Sequence, residues 1–333
     1  NISSTRLHLN PSLNLPLTKP GLFLVPSIGW YYTGYDLKNP TNSTPTHPSL
    51  SGSIYSVDAG LILERPINKQ KYVQTLEPRL LYAYVPYRNQ ANLPTPFDTG
   101  IPDLSLNQFF RPNRFIGPDR LGDTNQLSVG FTSRLLDQAD GNQLFSGTLG
   151  QTFNFAKPCI TSLTTISCDA ITAFTNSSDL LGELAVNAYR NISINFATQW
   201  KPETNRAQRS NFFAQYRSDN SHIFNIAYRY DQGKVEQWET SGAWPINNRW
   251  SGFSRIVYSR PDATLLDHFL GFEYRSCCFN IRGVAGRAIT SRNGEYETQF
   301  KLQLELKGLS SIGTADAFLT GGIAGYSAHE SSL

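Results

Sequence analysis

No stretch of this 333-residue chain approaches the roughly 18 consecutive apolar residues that a membrane-crossing helix requires. Runs of five or six basic residues are also missing, and 29 Lys+Arg against 26 Asp+Glu leave a net charge of +3, too mild to point to nucleic acid. Histidine is scarce. His8, His47, His222, His268 and His329 stand in no HExxH or GxSxG setting, so no catalytic, metal-binding or cofactor-binding residues are assigned and a hydrolase is disfavoured. The four cysteines form a wide pair, Cys159 and Cys168, and an adjacent pair, Cys277 and Cys278; neither has the spacing of a zinc site. Such a set fits an oxidising compartment in which disulfides persist. No signal peptide begins at Asn1, which reads as a mature or trimmed chain.

What the chain does have is alternation. Hydrophobic residues make up 39% and aromatics 12%, with a mean hydropathy of −0.34. A sheet that places its apolar residues on every second position hides its hydrophobicity in this way. Leu7, Leu9, Leu13, Leu15 and Leu17 share one face of a first strand, and Leu76, Leu80, Tyr82 and Tyr84 stand opposite Glu77 and Arg79 in another. The stretch Phe300 to Lys307 is the cleanest, with Phe300, Leu302, Leu304 and Leu306 alternating with Lys301, Gln303, Glu305 and Lys307. About fifteen such strands of about 10 residues are legible, the length that crosses a bilayer at a tilt. Tyr and Trp gather near strand ends, among them Trp30, Tyr82, Trp200 and Tyr230, where interfacial aromatic belts sit. Long loops at about 38–50, 87–124 and 156–178 fall at one end of the strands, and clipped turns at the other.

The fold expected is therefore all-β, an antiparallel transmembrane β-barrel occupying residues 1–310, with 311–333 as a C-terminal tail. Single-chain barrels of this kind use even strand numbers, and an unpaired edge is costly in lipid. An odd count thus marks the C-terminal portion of a larger barrel. On the polar parity, Glu77, Arg79, Arg229, Arg255, Glu273, Arg282, Lys301 and Glu305 are the residues expected to line a lumen. Cys159 and Cys168 are expected to close a local disulfide loop. In the long loop, Arg111, Arg114 and Arg120 either meet anionic phosphates or, the favoured reading, pair with Asp98, Asp103, Asp119 and Asp123 to hold the loop's own shape.

Four stretches resemble the C-terminal barrel of the LptD family of lipopolysaccharide-assembly proteins. They are LEPRLLYAYVPY (Leu76 to Tyr87), NRFIGPDRLGDTNQLSVGFTSRLL (Asn113 to Leu136), GFEYRSCCFNIR (Gly271 to Arg282) and LELKGLSS (Leu304 to Ser311). The resemblance implies a non-enzymatic outer-membrane protein of Gram-negative bacteria, with a barrel of roughly 26 strands. It also implies an LptE-like plug lipoprotein in the lumen, and a periplasmic jellyroll domain that receives lipopolysaccharide from the Lpt bridge. By the same resemblance, Cys277 and Cys278 match an adjacent pair that bridges to two cysteines of the jellyroll domain. The alternatives are a vicinal disulfide, or two thiols in a chain whose partners were trimmed away. The last strand, Phe300 to Leu306, would form one side of a lateral gate. A passive porin or another outer-membrane β-barrel transporter is the competing reading; a porin accounts for the lumen and the aromatic belts but not for the adjacent cysteines or the long loop.

Overall fold

The computed structural model describes residues 3–38, 45–69, 71–102, 105–163, 168, 175–189, 191–219, 221–290 and 294–327. Among them are nineteen strand segments and two short helices. No helix of the described residues is long and apolar enough to cross a membrane. The chain divides into two compact units: residues 1–142, 147–182 and 199–205, and residues 143–146, 183–198 and 206–333.

The first unit is an antiparallel meander in which each strand pairs with the next. Its first strand is broken into β1 (Ser3–Leu9), β2 (Ser12–Asn14) and β3 (Leu17–Lys19), all paired with β4 (Leu22–Lys38). Pro11 and Pro16 fall in the two gaps, where a residue with no N–H cannot continue the ladder. The Pro11 carbonyl still accepts from Trp30 N–H at 3.0 Å. β5 (Ser49–Leu61) pairs with β4, and after a one-residue break β6 (Leu63–Ile67) pairs with β7 (Tyr72–Val85). At the break, Ile62 N–H leaves the ladder for the Gly21 carbonyl at 2.7 Å. β8 (Thr124–Asp137) runs beside β7 through fourteen register pairs, and β9 (Gln143–Asn154) follows.

β10 (Leu180–Tyr189) and β11 (Ile192–Lys201) come next in the chain. The second unit then carries β12 (Arg206–Arg217), β13 (Ile223–Asp231), β14 (Val235–Pro245), β15 (Trp250–Ser259), β16 (Thr264–Arg275), β17 (Phe279–Ile289) and β18 (Tyr296–Leu306), again a sequential antiparallel meander. A register shift between Val257 and Tyr258 brings Leu265 among the exposed apolar residues of β16.

Two differences from the sequence reading concern the C-terminal end. Phe300 to Leu306 is not the final strand, because a four-residue β19 (Ser310–Gly313) folds back onto Gln303–Leu306. Gly308, at φ 78°, makes that return in a left-handed backbone conformation that glycine adopts without strain. The stretch expected as a C-terminal tail, residues 311–333, contains the end of β19 and a helix, α2 (Ala315–Gly322). β19 is too short to show a period of two, which is why alternation did not reveal it.

One face of each meander is apolar and open. Phe131, at 52% exposed, and Phe300, at 77%, stand on the same parity as Trp30, Leu80, Phe224, Leu270 and Ile281, all exposed. Water does not cover so much contiguous apolar surface in a soluble monomer; lipid does. Phe131→Arg is expected to cost about 2–4 kcal/mol, the cost of a cation on the lipid face near the midplane. A fall in the urea midpoint of protein refolded into bilayers checks it, and an unchanged midpoint would show that Phe131 does not meet lipid.

Candidate functional site

The opposite, polar face carries the chemistry, and in each unit a non-strand segment covers part of it. All eight residues expected to line a lumen lie on this parity, shared with the buried Leu81, Asn225, Phe253, Phe269, Val284 and Gln303. They do not act singly. Arg79 forks onto Asp58 at 2.9 and 2.6 Å, and Glu77 accepts from Thr75 Oγ1 at 2.7 Å and pairs with Arg134 at 3.4 Å. Arg255 bridges Glu239 and Asp267 at 2.9 and 2.6 Å. Arg229 and Lys301 share the parity, Arg229 exposed and Lys301 half-buried.

In the first unit, the segment between β7 and β8 folds back over the polar face. Its short helix α1 (Leu106–Phe109) and the following Phe110 lie where β8 and β9 carry glycine: a Cβ on Gly130 would stand 2.8 Å from Phe110 Cζ, and one on Gly150 2.9 Å from Phe109 Cδ2. The Arg79 guanidinium then sits 4.3 Å from the Phe110 ring centre, within cation–π range. Leu93 and Leu121 of the loop join Tyr31, Tyr35, Leu37, Leu50 and Val85 of the strands in one apolar cluster.

Asp119 is the anchor of this cover. Its Oδ1 accepts from the Tyr35 hydroxyl at 2.6 Å and from Arg6 at 2.8 Å, and its Oδ2 from the N–H groups of Phe97 and Asp98 at 2.9 and 3.2 Å. Arg6 also forks onto Asp98. Burial pushes the Asp119 carboxyl up, but the hydrogen bonds from Tyr35, Asp98 N–H, Arg6 and Phe97 N–H outweigh it and hold the group at about 2.

The loop arginines serve this shape differently from the pairing expected. Arg120 is buried and donates to the Asp119 and Pro94 carbonyls at 2.9 and 2.8 Å; Arg114 donates to the Asp123 carbonyl at 2.9 Å, and Arg111 reaches Gln108 at 3.5 Å. Burial lowers the pKa of Arg114 and of Arg120, yet a guanidinium stays charged. The cation that Asp98 and Asp119 hold comes from β1, as Arg6. The Asp123 carboxylate accepts the N–H groups of Cys159 and Ile160, both at 2.7 Å, tying in the next loop, where Cys159 and Cys168 form a disulfide. Asp103 and His329 lie outside the described residues.

In the second unit the cover is α2. Ala315, Leu319 and Ile323 are fully buried against Ile223, Ala243, Phe253, Phe269 and Val284, with Phe318 edge-on to Phe269 and Tyr326 edge-on to Phe253. Beside this cluster stands Arg282, 1% exposed, with carboxylates of Glu273 at 2.8 Å, Asp316 at 2.8 Å and Glu305 at 3.1 Å around it. Gln303 completes the anchor, accepting Asp316 N–H at 2.7 Å and donating to its carboxylate at 3.2 Å. Alternation in the sequence points to Glu273, Arg282 and Glu305; it does not point to Asp316, the residue that binds the helix to them. Two signals were there to find it: apolar residues on the polar parity of five adjacent strands, and the 3.6-residue spacing of Ala315, Phe318, Leu319 and Ile323.

At the turn between β16 and β17, Cys277 and Cys278 are exposed free thiols with sulfurs 2.8 Å apart. The hydrogen bond from Cys278, with help from Ser276, lowers the Cys277 pKa, and the same contact raises that of Cys278. Of the two thiols, Cys277 is the one shifted towards ionisation.

An antiparallel meander with an open apolar face, a charged face turned from it and strands of bilayer-crossing length defines the wall of an outer-membrane β-barrel. The family model described as LPS transport system D, LptD, matches residues 1–250. LPS-assembly protein LptD of Xylella fastidiosa is 36% identical over 335 residues, covering 97% of this chain and 42% of that protein. The LptD proteins of Xanthomonas oryzae pv. oryzae and Thiobacillus denitrificans are each 35% identical, covering 97% and 93% of this chain and 42% of their own lengths. The chain belongs to the LptD family, and it spans 42% of the length of these relatives. Among solved structures, the ferric enterobactin receptor of Pseudomonas aeruginosa aligns over 90% of this chain and 54% of its own at 7% identity, with a TM-score of 0.36, too low to carry any argument.

Two outcomes follow for the anchors. Arg282→Gln leaves the Glu273 carboxylate, buried at 3% exposure, with only the longer 3.6 Å pairing to Arg275 among the described residues, and is expected to cost about 3 kcal/mol, as breaking a buried pair does; Asp316→Asn keeps the hydrogen-bonding shape and is expected to cost about 1 kcal/mol. Urea titration reads both, and equal midpoints for Arg282→Gln and wild type would remove Arg282 from its central place. Asp119, held at about 2 against a usual 3.8, stabilises loop docking fully above pH 4 and loses that contribution, about 2 kcal/mol, as pH falls through 2. Proteolysis of the loop over residues 86–123 should therefore accelerate between pH 4 and pH 2 in wild type, measured with an acid protease. In Asp119→Asn it should be fast throughout.

Proposed function

We propose that the full-length protein inserts lipopolysaccharide into the outer leaflet of the Gram-negative outer membrane, with this chain forming the C-terminal part of the barrel that carries it. Family membership over the matched residues is the observation that supports this reading. The relatives are named as assembly proteins, and the role is transport rather than catalysis.

The physical division of labour follows from the two faces. Sugars and phosphates pass along the polar parity, past Glu77, Arg79, Arg229, Arg255, Glu273, Arg282, Lys301 and Glu305, while lipid A keeps to the hydrocarbon and leaves through a lateral gap beside β18 and β19. β19 meets β18 through only four register pairs, so the strand at that edge is short and offers few hydrogen bonds to a neighbour across the gap. An LptE-like lipoprotein fills part of the lumen, and a periplasmic jellyroll domain delivers the substrate from the Lpt bridge.

Cys277 and Cys278 bridge to that domain. Their turn joins two strands directly, and short turns lie on the periplasmic side of such barrels. With its lowered pKa, Cys277 is the thiol that attacks in exchange. The full-length protein carrying Cys277→Ser and Cys278→Ser together is expected to lose a long-range crosslinked species on a non-reducing gel and to leave less lipopolysaccharide at the cell surface. Identical migration of variant and wild type, with and without reductant, would sink the tether and favour a passive pore.

A further inference from the structure

On the apolar face of the first unit, next to the turn after β6, lies a cavity of about 360 Å³ whose walls are Leu63 and Leu76 and whose polar end holds Arg65, Gln74 and Ser133. Glu64 and Thr75 also border it but belong to the opposite parity, where they face each other across the β6–β7 ladder. The cavity sits just after the step at Ile62, where β5 gives way to β6.

Arg65 is out of place on such a face. It occupies the apolar parity, directly opposite Gln74 as Leu63 is opposite Leu76. Its Nε and Nη2 both donate to Gln74 Oε1, at 2.9 and 2.6 Å; Gln74 Nε2 donates to Ser133 Oγ at 3.2 Å, and Ser133 Oγ to the Thr75 carbonyl at 2.9 Å. This chain of hydrogen bonds fixes the guanidinium through a neutral amide. Its charge is not cancelled, since no carboxylate pairs with Arg65 among the described residues. Leu63 and Leu76, 53% and 46% exposed, carry the cavity wall on into the open apolar face. Toward the turn stand Lys69 and Lys71, the latter 5.1 Å from the Tyr72 ring centre.

Depth decides what such a site meets. Arg65 and Gln74 are each two residues from the strand ends at Ile67 and Tyr72, about 7 Å along the strand. The turn that joins them is short, which puts this end at the periplasmic leaflet, and that depth lies in its headgroup zone. A positioned guanidinium offers the N–H groups that a phosphate accepts, and basic residues at the headgroup level attract anionic lipids. We propose that this cavity binds a glycerophospholipid of the periplasmic leaflet, its phosphate on Arg65 and an acyl chain along Leu63 and Leu76. The proposal rests on the reading of the apolar face as lipid-facing and assigns it a defined lipid site.

Native mass spectrometry of the detergent-purified full-length protein, titrated with phosphatidylglycerol, tests it. Wild type is expected to retain one tightly held lipid, and Arg65→Gln to weaken its retention about tenfold, the loss of a charge-assisted contact. Arg65→Lys should keep most of it, Gln74→Leu should give an intermediate loss by freeing the guanidinium, and Lys234→Gln, in a turn of the second unit, should not differ from wild type. Equal retention by Arg65→Gln and wild type overturns the proposal. Displacement of the bound lipid by inorganic phosphate alone overturns it in favour of a simple anion site, and displacement by lipid A at lower concentration overturns the choice of a glycerophospholipid. A protein that stays in solution without detergent would instead fail the membrane reading beneath it, and the two failures are told apart by that solubility. Heat-modifiable migration on gels confirms that each variant is folded before it is compared.

Discussion

A backbone immersed in hydrocarbon must find every hydrogen-bond partner within itself, and this constraint shapes the rest of the chain. It is why the strands follow one another as meanders with continuous registers, and why the interruptions that do occur are repaired. Where Pro11 and Pro16 break the first strand, the Pro11 carbonyl still serves Trp30; where Ile62 leaves the ladder, its N–H finds Gly21. Once the ladder is closed in this way, side chains have two faces to go to, and an apolar residue on every second position follows from the lipid on one of them.

The other face is where the energetic difficulty lies. A polar face crowded with charge must either remain hydrated or satisfy its charges internally, because an unpaired buried ion is costly. The chain does the second at two places. Arg282 gathers three carboxylates from β16, β18 and α2, and Asp119 gathers donors from β1, β4 and its own loop. Each network is half strand and half cover. Neither would be assembled by the sheet alone, and each fixes the position of a segment that has little regular structure to fix itself.

The strands were legible because a period of two repeats over ten or more residues, and fifteen of them could be counted from Leu7 to Leu306. What escaped is what depends on contact between segments far apart in the chain. Alternation assigns Ile223, Phe253, Phe269 and Val284 to the polar face and has no account of their being apolar; only α2, 30 to 90 residues away, explains them. β19 has too few residues to show a period. Arg114 and Arg120 could be recognised as loop arginines, but that their partners are backbone carbonyls, and that Asp98 and Asp119 take Arg6 instead, depends on how the loop lies on the sheet. The disulfide of Cys159 and Cys168 needed only nearness in sequence, and so it was within reach.

The two covers share a design that bears on the proposed transport. Each seals an apolar patch, Tyr31 to Leu121 in one unit and Ile223 to Tyr326 in the other, and each is pinned beside that patch by a charged group with polar partners. An apolar plug leaves its site only by exposing its whole surface to water, at a cost that grows with area. A charged pin behaves otherwise, since water entering with a sugar resolvates the guanidinium and carboxylates as they part and returns much of what their pairing contributed. Arg282 and Asp119 thus hold each cover by polar pairing as well as by apolar burial, and the two contributions respond oppositely to water.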